Sequence, residues 1–579
     1  MPFSDVFKLL GWRFTLFICI IYFFIKGVML GIVGVAQLPY YKTHLGITGE
    51  AYQGYAMASM APWALKPAIG ALSDILPIRG YPKRYYIMIA SLIGTSGLML
   101  LSSGLMDDSS NPDHNSRGRW TSMLFFAAHF EVAVVDVLFE GAYTAATHRP
   151  GDQKAQNGII SLVWGCVTFG GFIGSVSAGF NTHALTKLFI VGSVLAVVPL
   201  VPLLNGWLPE KYTPFMPRSK CRQNKYRYYL ALLICVSVMA YTFISIRWTA
   251  THPILLLTYG GFVSFMLLLC TRYALQPLIA RGNAYMFFAS VFYFDLSAAL
   301  HWFYTGTPKC IADGPHFDYK YYMGWSAAVS TVAGILGLFI FNFLVTRWNL
   351  KSLFFLSIAL RAMGGLVDYI IVARWNIAWG WSDRQSFMFG NNIVASIAGM
   401  MEAMPFIKLT LRLCPPGGET AMYALLAGYQ NLGGGISKGI GAYLMAATGI
   451  YLPADVNEPC NFDALPQLIL WSHVAAPLVM IPLAIWLLPS RAQMAEPFVF
   501  ERGVEHHESF TDDAFELLPA EESGGQAQDF ELETEPQSQV EPQVEPYDKN
   551  PSQQSNMMVG VFDDISEVFG QDSVVSSND

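Results

Sequence analysis

Charged residues and cysteines are both scarce in this sequence of 579 residues. Asp, Glu, Lys and Arg together make up 13% of it, about half the share found in soluble globular proteins. The eight cysteines form no Cys-x-x-Cys pair and no cluster with histidine at metal-ligand spacing. A nucleophile–base set is also missing, as is a Gly-x4-Gly-Lys-Ser/Thr loop for nucleotide phosphates. The sequence therefore predicts no metal site, no bound cofactor, no enzyme and no ATP hydrolysis on this chain.

Long apolar runs are what the sequence has in abundance. Apolar residues, counting Tyr, Trp and Cys, account for 53% of the chain, and the mean hydropathy is +0.38. A membrane-spanning helix needs about 20 predominantly apolar residues, and an open chain in lipid satisfies its backbone groups as helix. Fourteen candidate spans lie near 14–38, 51–72, 85–105, 120–146, 156–180, 184–205, 228–246, 253–271, 284–305, 321–345, 352–373, 387–411, 420–449 and 466–488. We expect an all-α polytopic membrane protein in the lipid bilayer, without nucleic-acid binding.

Lysine and arginine are distributed unevenly between the loops. One set of loops is basic, including 79–84, 149–154 and 211–225, whereas the opposite loops are more acidic. Basic loops stay in the cytosol, so we expect both termini there, which agrees with an even number of spans. The predicted regions are a cytosolic N-terminus at 1–13, a six-helix bundle at 14–206, a cytosolic linker with two extra membrane helices at 207–283, a second six-helix bundle at 284–490, and an acidic, disordered cytosolic tail at 491–579.

The tail beyond the last span is strongly acidic. Residues 501–579 include 20 acidic and two basic side chains, and so polar a segment is not expected to fold. Within it, Asp513, Leu517 and Leu518 fit the acidic dileucine pattern that clathrin adaptors bind. We interpret the three as a candidate sorting signal. The alternative is that the two leucines dock on the helical bundle and merely order the tail.

A motif at the end of the second span carries specific information. Residues 70–74 read Gly-Ala-Leu-Ser-Asp, and residues 77–84 read Pro-Ile-Arg-Gly-Tyr-Pro-Lys-Arg. This arrangement resembles the loop after the second helix in the major facilitator superfamily, where an acid and a basic loop hold one helix against another in one conformation. The resemblance implies a gate or helix anchor formed by Asp74, Arg79, Lys83 and Arg84.

Longer blocks make the resemblance narrower. They are Lys66-Pro67 with the Pro-Ile-x-Gly-Tyr that follows, residues 39–42 (Pro-Tyr-Tyr-Lys), and residues 412–419 (Arg-Leu-Cys-Pro-Pro-Gly-Gly-Glu). Together they are similar to the folate–biopterin transporter family, and residues 281–325 resemble its trypanosomatid members most. The resemblance implies uptake of folates or pterins, with S-adenosylmethionine carriers as relatives. Pro82 and Thr420 depart from the usual family pattern.

Charged side chains inside membrane spans are costly, so we treat them as candidates for function. Lys26 and Lys66 lie within the first two spans, from which a lysine does not easily reach the membrane surface. An anionic solute with a flat heteroaromatic ring calls for cations and aromatic side chains. The candidate substrate-binding residues are Lys26, Lys66, Arg361, Asn431 and Lys438. For Arg361 the alternative is simple neutralisation of a neighbouring helix.

The fourth span combines a histidine with carboxyl groups. His129 and Asp136 are seven residues apart and share a helix face, and Glu140 lies one turn beyond Asp136. Burial favours the protonated form of a carboxyl group, and histidine titrates near neutral pH. The three are therefore candidates for proton coupling. The alternative is a salt bridge from the acids to Lys26 or Lys66, and both roles can coexist.

Two cysteines fall in loops that the charge pattern assigns to the outer face. Cys310 follows the first helix of the second bundle, and Cys460 follows the fifth. Thiols that face an oxidising compartment can pair when their Cα atoms come within about 7 Å. Cys310 and Cys460 are therefore a candidate disulfide, and the alternative is two unrelated loop thiols.

These observations favour a secondary active carrier of folate and/or biopterin that works by alternating access, with protons as candidate coupling ions. The expected partners are a small-molecule solute, the lipid bilayer and, at the tail, a clathrin adaptor. The expected location is the plasma membrane. Two alternatives stay open: an S-adenosylmethionine carrier of the same family, and a nutrient sensor that shares the fold without transporting.

Overall fold

The computed structural model describes residues 2–105, 114–147, 153–210, 212–213, 225–341, 343, 348, 350–413, 419–455 and 457–488, and nearly all of them are helical. A short helix (Pro2–Leu10) precedes the long ones. The long helices are α1 (Trp12–His44), α2 (Gly49–Met60 and Lys66–Ile75, joined by the 3₁₀ turn Ala61–Leu65), α3 (Arg84–Ser102), α4 (His114–Thr147), α5 (Gln153–Phe180), α6 (Thr182–Leu204), α7 (Lys225–Trp248), α8 (Ile254–Ala274), α9 (Pro277–Val291 and Ser297–Thr305), α10 (Lys320–Ile340), α11 (Leu350–Val372), α12 (Asp383–Ser386, Phe387–Val394 and Ala395–Leu413), α13 (Glu419–Ala447) and α14 (Leu465–Leu487).

Ten of the described helices are long and apolar enough to cross a membrane. The other four long helices are α2, α9, α12 and α13, and each coincides with a predicted span. Helix α2 is interrupted by a 3₁₀ turn and α9 by the non-helical residues 292–296, whereas α12 and α13 carry more polar side chains. Irregularity or polar side chains therefore account for the absence of these four helices from the ten.

Helices α1–α6 pack together, and helices α9–α14 form a second bundle. The two bundles meet where α2 contacts α13 and where α5 contacts α10. The remaining helices, α7 and α8, cover the α2–α13 contact from outside: α7 packs on α2 and α8 on α13. Close packing is visible at Gly54 of α2, where an added Cβ would lie 2.4 Å from Oγ1 of Thr249.

Glycines let α5 approach its neighbours closely. A Cβ at Gly170 would lie 2.3 Å from the carbonyl oxygen of Phe23 on α1, and one at Gly174 would lie 2.2 Å from that of Val28. At the far end of α5, a Cβ at Gly179 would meet the backbone of Gly324 on α10 at 2.4 Å. Small residues of this kind allow backbone contact between membrane helices.

The loops divide between two ends of the helices, which we call the basic-loop face and the disulfide face. The basic-loop face holds residues 76–83, and the disulfide face holds Cys310 and Cys460. At the disulfide face the bundles are joined by backbone and side-chain hydrogen bonds. Gly49 N donates to the Leu452 carbonyl at 3.0 Å, and Leu452 N donates to Glu50 Oε1 at 3.1 Å. The structure therefore represents a state in which the bundles are closed at this face.

Candidate functional site

Two lysines and two acids meet in the middle of the first bundle. Nζ of Lys26 (α1) lies 2.8 and 2.9 Å from the carboxylate oxygens of Asp136 (α4), and Nζ of Lys66 (α2) lies 2.5 Å from Asp136 Oδ2. Lys66 Nζ is also 3.6 Å from Glu140 Oε2. We call these four side chains the lysine–acid quartet. The salt bridge that the sequence left as an alternative for Asp136 is present.

The local backbone explains how the lysines reach Asp136. Lys26 lies in a π-helical stretch, Ile21–Met29, and such stretches are frequent at functional sites because they turn side chains out of the regular helix register. Lys66 begins the second part of α2, directly after the 3₁₀ turn and before Pro67. A proline is tolerated in the first turn of a helix because its missing N–H has no helical acceptor there.

Aromatic rings surround the ammonium groups. Lys26 Nζ lies 5.4 Å from the ring centre of Tyr22, 6.0 Å from that of Trp63 and 5.7 Å from that of Trp164, and Lys66 Nζ lies 5.0 Å from that of Trp63. Cations are attracted to aromatic faces at such distances. Trp164 keeps about half of its surface exposed, so a flat ring beside the lysines is also accessible.

His129 of α4 is buried between Trp63 and Gln37. Trp63 Nε1 donates to Nδ1 of His129 at 3.3 Å, and the amide of Gln37 lies 3.1 Å from Nε2. An indole N–H only donates, so Nδ1 carries no proton and the imidazole is neutral with its proton on Nε2. The amide of Gln37 must then turn its oxygen toward Nε2 to accept that proton. His129 thus positions Trp63 in this state.

The second bundle contributes the break in α9. Asp295 lies in this break, with Lys438 Nζ of α13 3.6 Å from its carboxylate and Ser297 N donating to it at 2.8 Å. Gln53 of α2 joins the break to the first bundle: its amide donates to the Asp295 carbonyl at 2.7 Å and accepts from Ala298 N at 3.1 Å. Asn431 of α13 donates to the Trp63 carbonyl at 3.1 Å.

Arg361 and Asp368 of α11 find partners on other helices. Arg361 pairs with Glu402 of α12, donates to the Ala289 carbonyl at 2.8 Å and lies over the Tyr293 ring at 4.8 Å. Neutralisation of a neighbouring helix, the alternative stated for Arg361, therefore takes place.

These polar groups lie near mid-helix and still keep some exposed surface. The exposed fraction of the side chain is 16% for Lys26, 18% for Glu140, 24% for Arg361 and 26% for Lys438. Contacts through Trp63 and Gln53 connect the groups of the two bundles. We therefore identify the region where the bundles meet, around the quartet, Trp63, Trp164 and Lys438, as the candidate solute site.

Several of these residues were not predicted from the sequence. They are the uncharged residues Gln37, Gln53, Trp63 and Trp164. A glutamine or a tryptophan within an apolar span does not by itself indicate a site. For Trp63 the sequence does contain an indication of a role in the site, because Trp63 lies next to Pro62 and three residues before Lys66. Its neighbours break the helix and so expose its backbone carbonyl to Asn431.

The predicted gate residues form a compact cluster at the basic-loop face. Glu210, in the segment after α6, accepts hydrogen bonds from the backbone N–H groups of Lys83 and Arg84, at 3.2 Å for Arg84. Burial lowers the pKa of the Lys83 ammonium, opposed by the charges of Asp74 and Glu210, and burial also raises the pKa of Glu210. Arg79 lies over the Tyr85 ring at 5.7 Å. The loop is thus held between the end of α2, which carries Asp74, and the segment directly after α6, which carries Glu210.

The remaining sequence candidates lie elsewhere. Cys310 and Cys460 form a disulfide with Cα atoms 4.7 Å apart, and Cys460 N donates to the Cys310 carbonyl at 2.9 Å. The bridge joins the loop after α9 to the loop after α13, both in the second bundle. Asp513, Leu517 and Leu518 lie outside the described residues.

Comparison with solved structures shows which fold the chain has. A POT family transporter in complex with a thioalcohol-conjugated peptide superposes with a TM-score of 0.54 at 12% identity, covering 83% of this chain and 96% of that one. The POT family transporter PepTSo gives 0.55 at 14% identity, covering 81% and 98%. At such identities the likeness shows the fold alone. The fold is that of a major-facilitator-type membrane transporter.

Sequence relatives define the family. Residues 26–497 match the BT1 family, and the protein belongs to that family. A folate-biopterin transporter of Synechocystis sp. is 25% identical, with 81% of this chain and 80% of the relative aligned. The probable folate-biopterin transporter 4 of Arabidopsis thaliana is also 25% identical, over 76% and 90%. Folate transporter 1 of Plasmodium falciparum is 20% identical, over 78% and 73%. The chain is an integral multi-pass membrane transporter and not an enzyme.

Proposed function

We propose that this protein carries folate and/or biopterin across a membrane by alternating access, coupled to protons. The observation that carries the proposal is the lysine–acid quartet with Trp63 and Trp164 beside it. Lysines offer charge to the carboxylates of a folate, and the exposed indole of Trp164 offers a flat surface to a pteridine ring. The names of the three relatives support the same solute class.

The charge of the quartet suggests how protons take part. With both acids ionised, its two lysines are balanced, so an added solute carboxylate would leave an excess negative charge in the membrane interior. Glu140 is the more weakly held acid, at 3.6 Å from Lys66 and 18% exposed, whereas Asp136 contacts both lysines at 2.5–2.9 Å. A proton on Glu140 would give the quartet one net positive charge. A solute carboxylate would then complete the balance.

The second bundle would supply the remaining contacts. Lys438 and Asn431 of α13 extend the site across the space between the bundles. Arg361 is paired with Glu402 and would contact the solute only when that pair opens. We propose that residues 14–206 and 284–490 are the two moving halves, with 207–283 as the connection. The loop around Arg79 and Glu210 would act as the anchor of the first half at the basic-loop face.

An S-adenosylmethionine carrier is the less favoured solute assignment. A cationic sulfonium needs an acid that is not already neutralised within the candidate solute site, but there Asp136 contacts two lysines and Asp295 faces Lys438. A non-transporting sensor would share the same site, and a flux measurement separates it from a carrier.

Orientation and location follow from the loops and the tail. We propose that the basic-loop face is cytosolic, that both termini lie there, and that the carrier resides in the plasma membrane, where Asp513, Leu517 and Leu518 are read by a clathrin adaptor. Changing both leucines to Ala is expected to increase the surface fraction without altering transport per molecule. Unchanged distribution with reduced flux would instead favour docking of the tail on the bundle.

The direct test is uptake of labelled folate, biopterin and S-adenosylmethionine in cells lacking their own carriers, with Lys66→Ala and Glu140→Gln as variants. We expect saturable uptake of folate or biopterin, its loss in Lys66→Ala at normal surface expression, and a flattened dependence on external pH in Glu140→Gln. Uptake of S-adenosylmethionine alone would refute the solute assignment. Near-normal uptake by Lys66→Ala would refute the role of the quartet.

A further inference from the structure

We infer that Asp368 and His473 form a second proton-carrying pair, located in the second bundle and separate from the quartet. Asp368 lies on α11 and His473 on α14. Nδ1 of His473 lies 3.3 Å from Oδ2 of Asp368, and Asn391 of α12 donates to Oδ1 of Asp368 at 2.7 Å. This inference rests on the proposed function, because it assigns a coupling site to the same carrier.

The unpaired nitrogen of His473 is the first argument. The side chain of His473 is 3% exposed, and within the described residues its Nε2 has no hydrogen-bond partner. A buried polar atom without a partner is rare and costly. A neutral imidazole that donates from Nδ1 to Asp368 leaves the Nε2 lone pair unused. That lone pair is the natural acceptor for one proton.

The charges around the pair are the second argument. Arg361 of α11 is paired with Glu402 of α12, and Lys438 of α13 is paired with Asp295 of α9. Asp368 is left without a cation among its described contacts, and His473 is its one titratable partner of basic type. The other groups that face the pair are the carboxylate of Asp295 in the α9 break, whose charge acts on His473, and the neutral phenols Tyr293 and Tyr304 of α9 and Tyr322 of α10. A proton on His473 therefore converts an uncompensated acid into an ion pair.

The position of the pair connects it to the break in α9. The ring of His473 stacks on Tyr293 with centres 4.4 Å apart and planes 11° apart, and Arg361 lies on Tyr293 as well. Tyr293 belongs to the break, and its carbonyl accepts a hydrogen bond from Ser437 of α13. Charging the imidazole changes its attraction to the Tyr293 ring and its repulsion from Arg361. The protonation state of His473 thus biases the packing of α9 against α11, α13 and α14.

The proton step is simple. When the bundles rearrange and Nε2 of His473 becomes accessible to water, a hydronium ion gives its proton to Nε2, the imidazole becomes an imidazolium, and a water molecule remains. The side chain of Asp368 is 13% exposed, so the pair is close to accessible surface. On the opposite side of the membrane the imidazolium returns the proton to water. No other bond is formed or broken.

The test compares two transport modes in reconstituted vesicles for His473→Gln and Asp368→Asn. Uphill accumulation of labelled solute driven by a pH gradient needs the proton site, whereas exchange of labelled for unlabelled solute at equal pH on both sides does not. We expect both variants to lose accumulation at least tenfold while keeping exchange within about twofold of the wild type. Retained exchange also demonstrates that the variants are folded.

His301→Gln is the matched control, since His301 is a half-buried histidine of the same bundle whose Nδ1 contacts the Tyr322 hydroxyl at 2.7 Å. It is expected to keep pH-driven accumulation. Normal accumulation in His473→Gln would overturn the inference, and so would loss of exchange in both pair variants, which would mark the pair as structural. If the wild type neither accumulates nor exchanges folate or biopterin, the proposed function itself fails, which is a different result.

Discussion

Single residues decide how the charges of the candidate site are balanced. Asp136 is the centre of the lysine–acid quartet because it is the acid that both lysines share, and its side chain is 1% exposed. Removing one partner of a buried ion pair is costly because the other charge stays buried without compensation. Asp136 should therefore matter for stability as well as for transport, whereas Glu140 should matter mainly for coupling.

Replacing Asp136 by Asn is expected to destabilise the first bundle by about 3–5 kcal/mol, since two lysines lose their shared acid. Glu140→Gln should cost much less, because Glu140 is partly exposed and contacts one lysine at the longer distance of 3.6 Å. Thermal unfolding of the purified variants in one detergent measures the difference. Equal melting temperatures for the two variants would contradict this ranking.

The sequence predicts most charged members of the site and, apart from Asn431, misses the uncharged ones. A lysine or aspartate inside an apolar span is visible because its burial is costly, which is why Lys26, Lys66 and Asp136 could be selected. Which acid faces which lysine depends on helix packing and could be stated only as an alternative. Gln53 was not selected, since its hydrogen bonds to the α9 break exist only once α2 and α9 meet.

Helices differ in how they make contact, and α5 provides the clearest case. Gly170 faces the backbone of α1, whereas an added Cβ at the adjacent Gly171 would meet no atom within 4 Å. The sequence shows a glycine-rich span, but only the packing shows which of the glycines is at the contact.

Gly170→Ala is expected to destabilise the α1–α5 contact by about 1–3 kcal/mol, because its methyl group would overlap the Phe23 carbonyl. Gly171→Ala is the control and should be neutral or stabilising by up to about 1 kcal/mol, since alanine favours helix over glycine. Melting temperatures and transport rates of both variants test this. A stable Gly170→Ala together with an unstable Gly171→Ala would reverse the assignment.

The contact between α2 and the break in α9 is a second contact between helices that can be tested. Gln53 is 1% exposed and spans the bundles with hydrogen bonds to the break in α9 and to the helical part that follows it, each worth about 1 kcal/mol. Gln53→Ala should therefore favour opening at the disulfide face. In that background, a cysteine introduced by Ala298→Cys is expected to react at least several-fold faster with a water-soluble thiol reagent.

Gln385→Ala is the control for this experiment, because Gln385 only caps the short helical turn at Ser382. It should leave the labelling rate at Ala298→Cys unchanged. Unaltered labelling in Gln53→Ala would mean that other contacts, such as Gly49 with Leu452, hold the closed state without it.

At the scale of the whole molecule, the sequence predicts the architecture well. Each of the fourteen predicted spans coincides with a long helix, because hydropathy reports the membrane environment directly. The breaks in α2 and α9 were not predicted. They depend on tertiary contacts that satisfy the released backbone groups, such as Ser297 N with Asp295 and Gln53 with the Asp295 carbonyl.

The disulfide offers a test of how rigid the second bundle is. It closes a loop of 150 residues, for which chain entropy gives up to about 5 kcal/mol of stabilisation. Cys310→Ser combined with Cys460→Ser should lower the melting temperature by several degrees. Transport at lower temperature should persist, because both linked loops move with the same bundle. The control is Cys235→Ser, which removes a free thiol of α7.

The charge balance of the quartet has an electrical consequence. Moving one elementary charge through a membrane potential of 100 mV changes the free energy by about 2.3 kcal/mol. Two lysines and two carboxylates sum to zero, so under the proposed mechanism the return of the empty quartet would generate no current. One proton on Glu140 together with one solute carboxylate keeps the sum at zero. A solute with two carboxylates needs a second proton for electroneutral uptake, and a proton on His473 would provide it. The membrane potential of the cell would then neither drive nor oppose entry of the dianion.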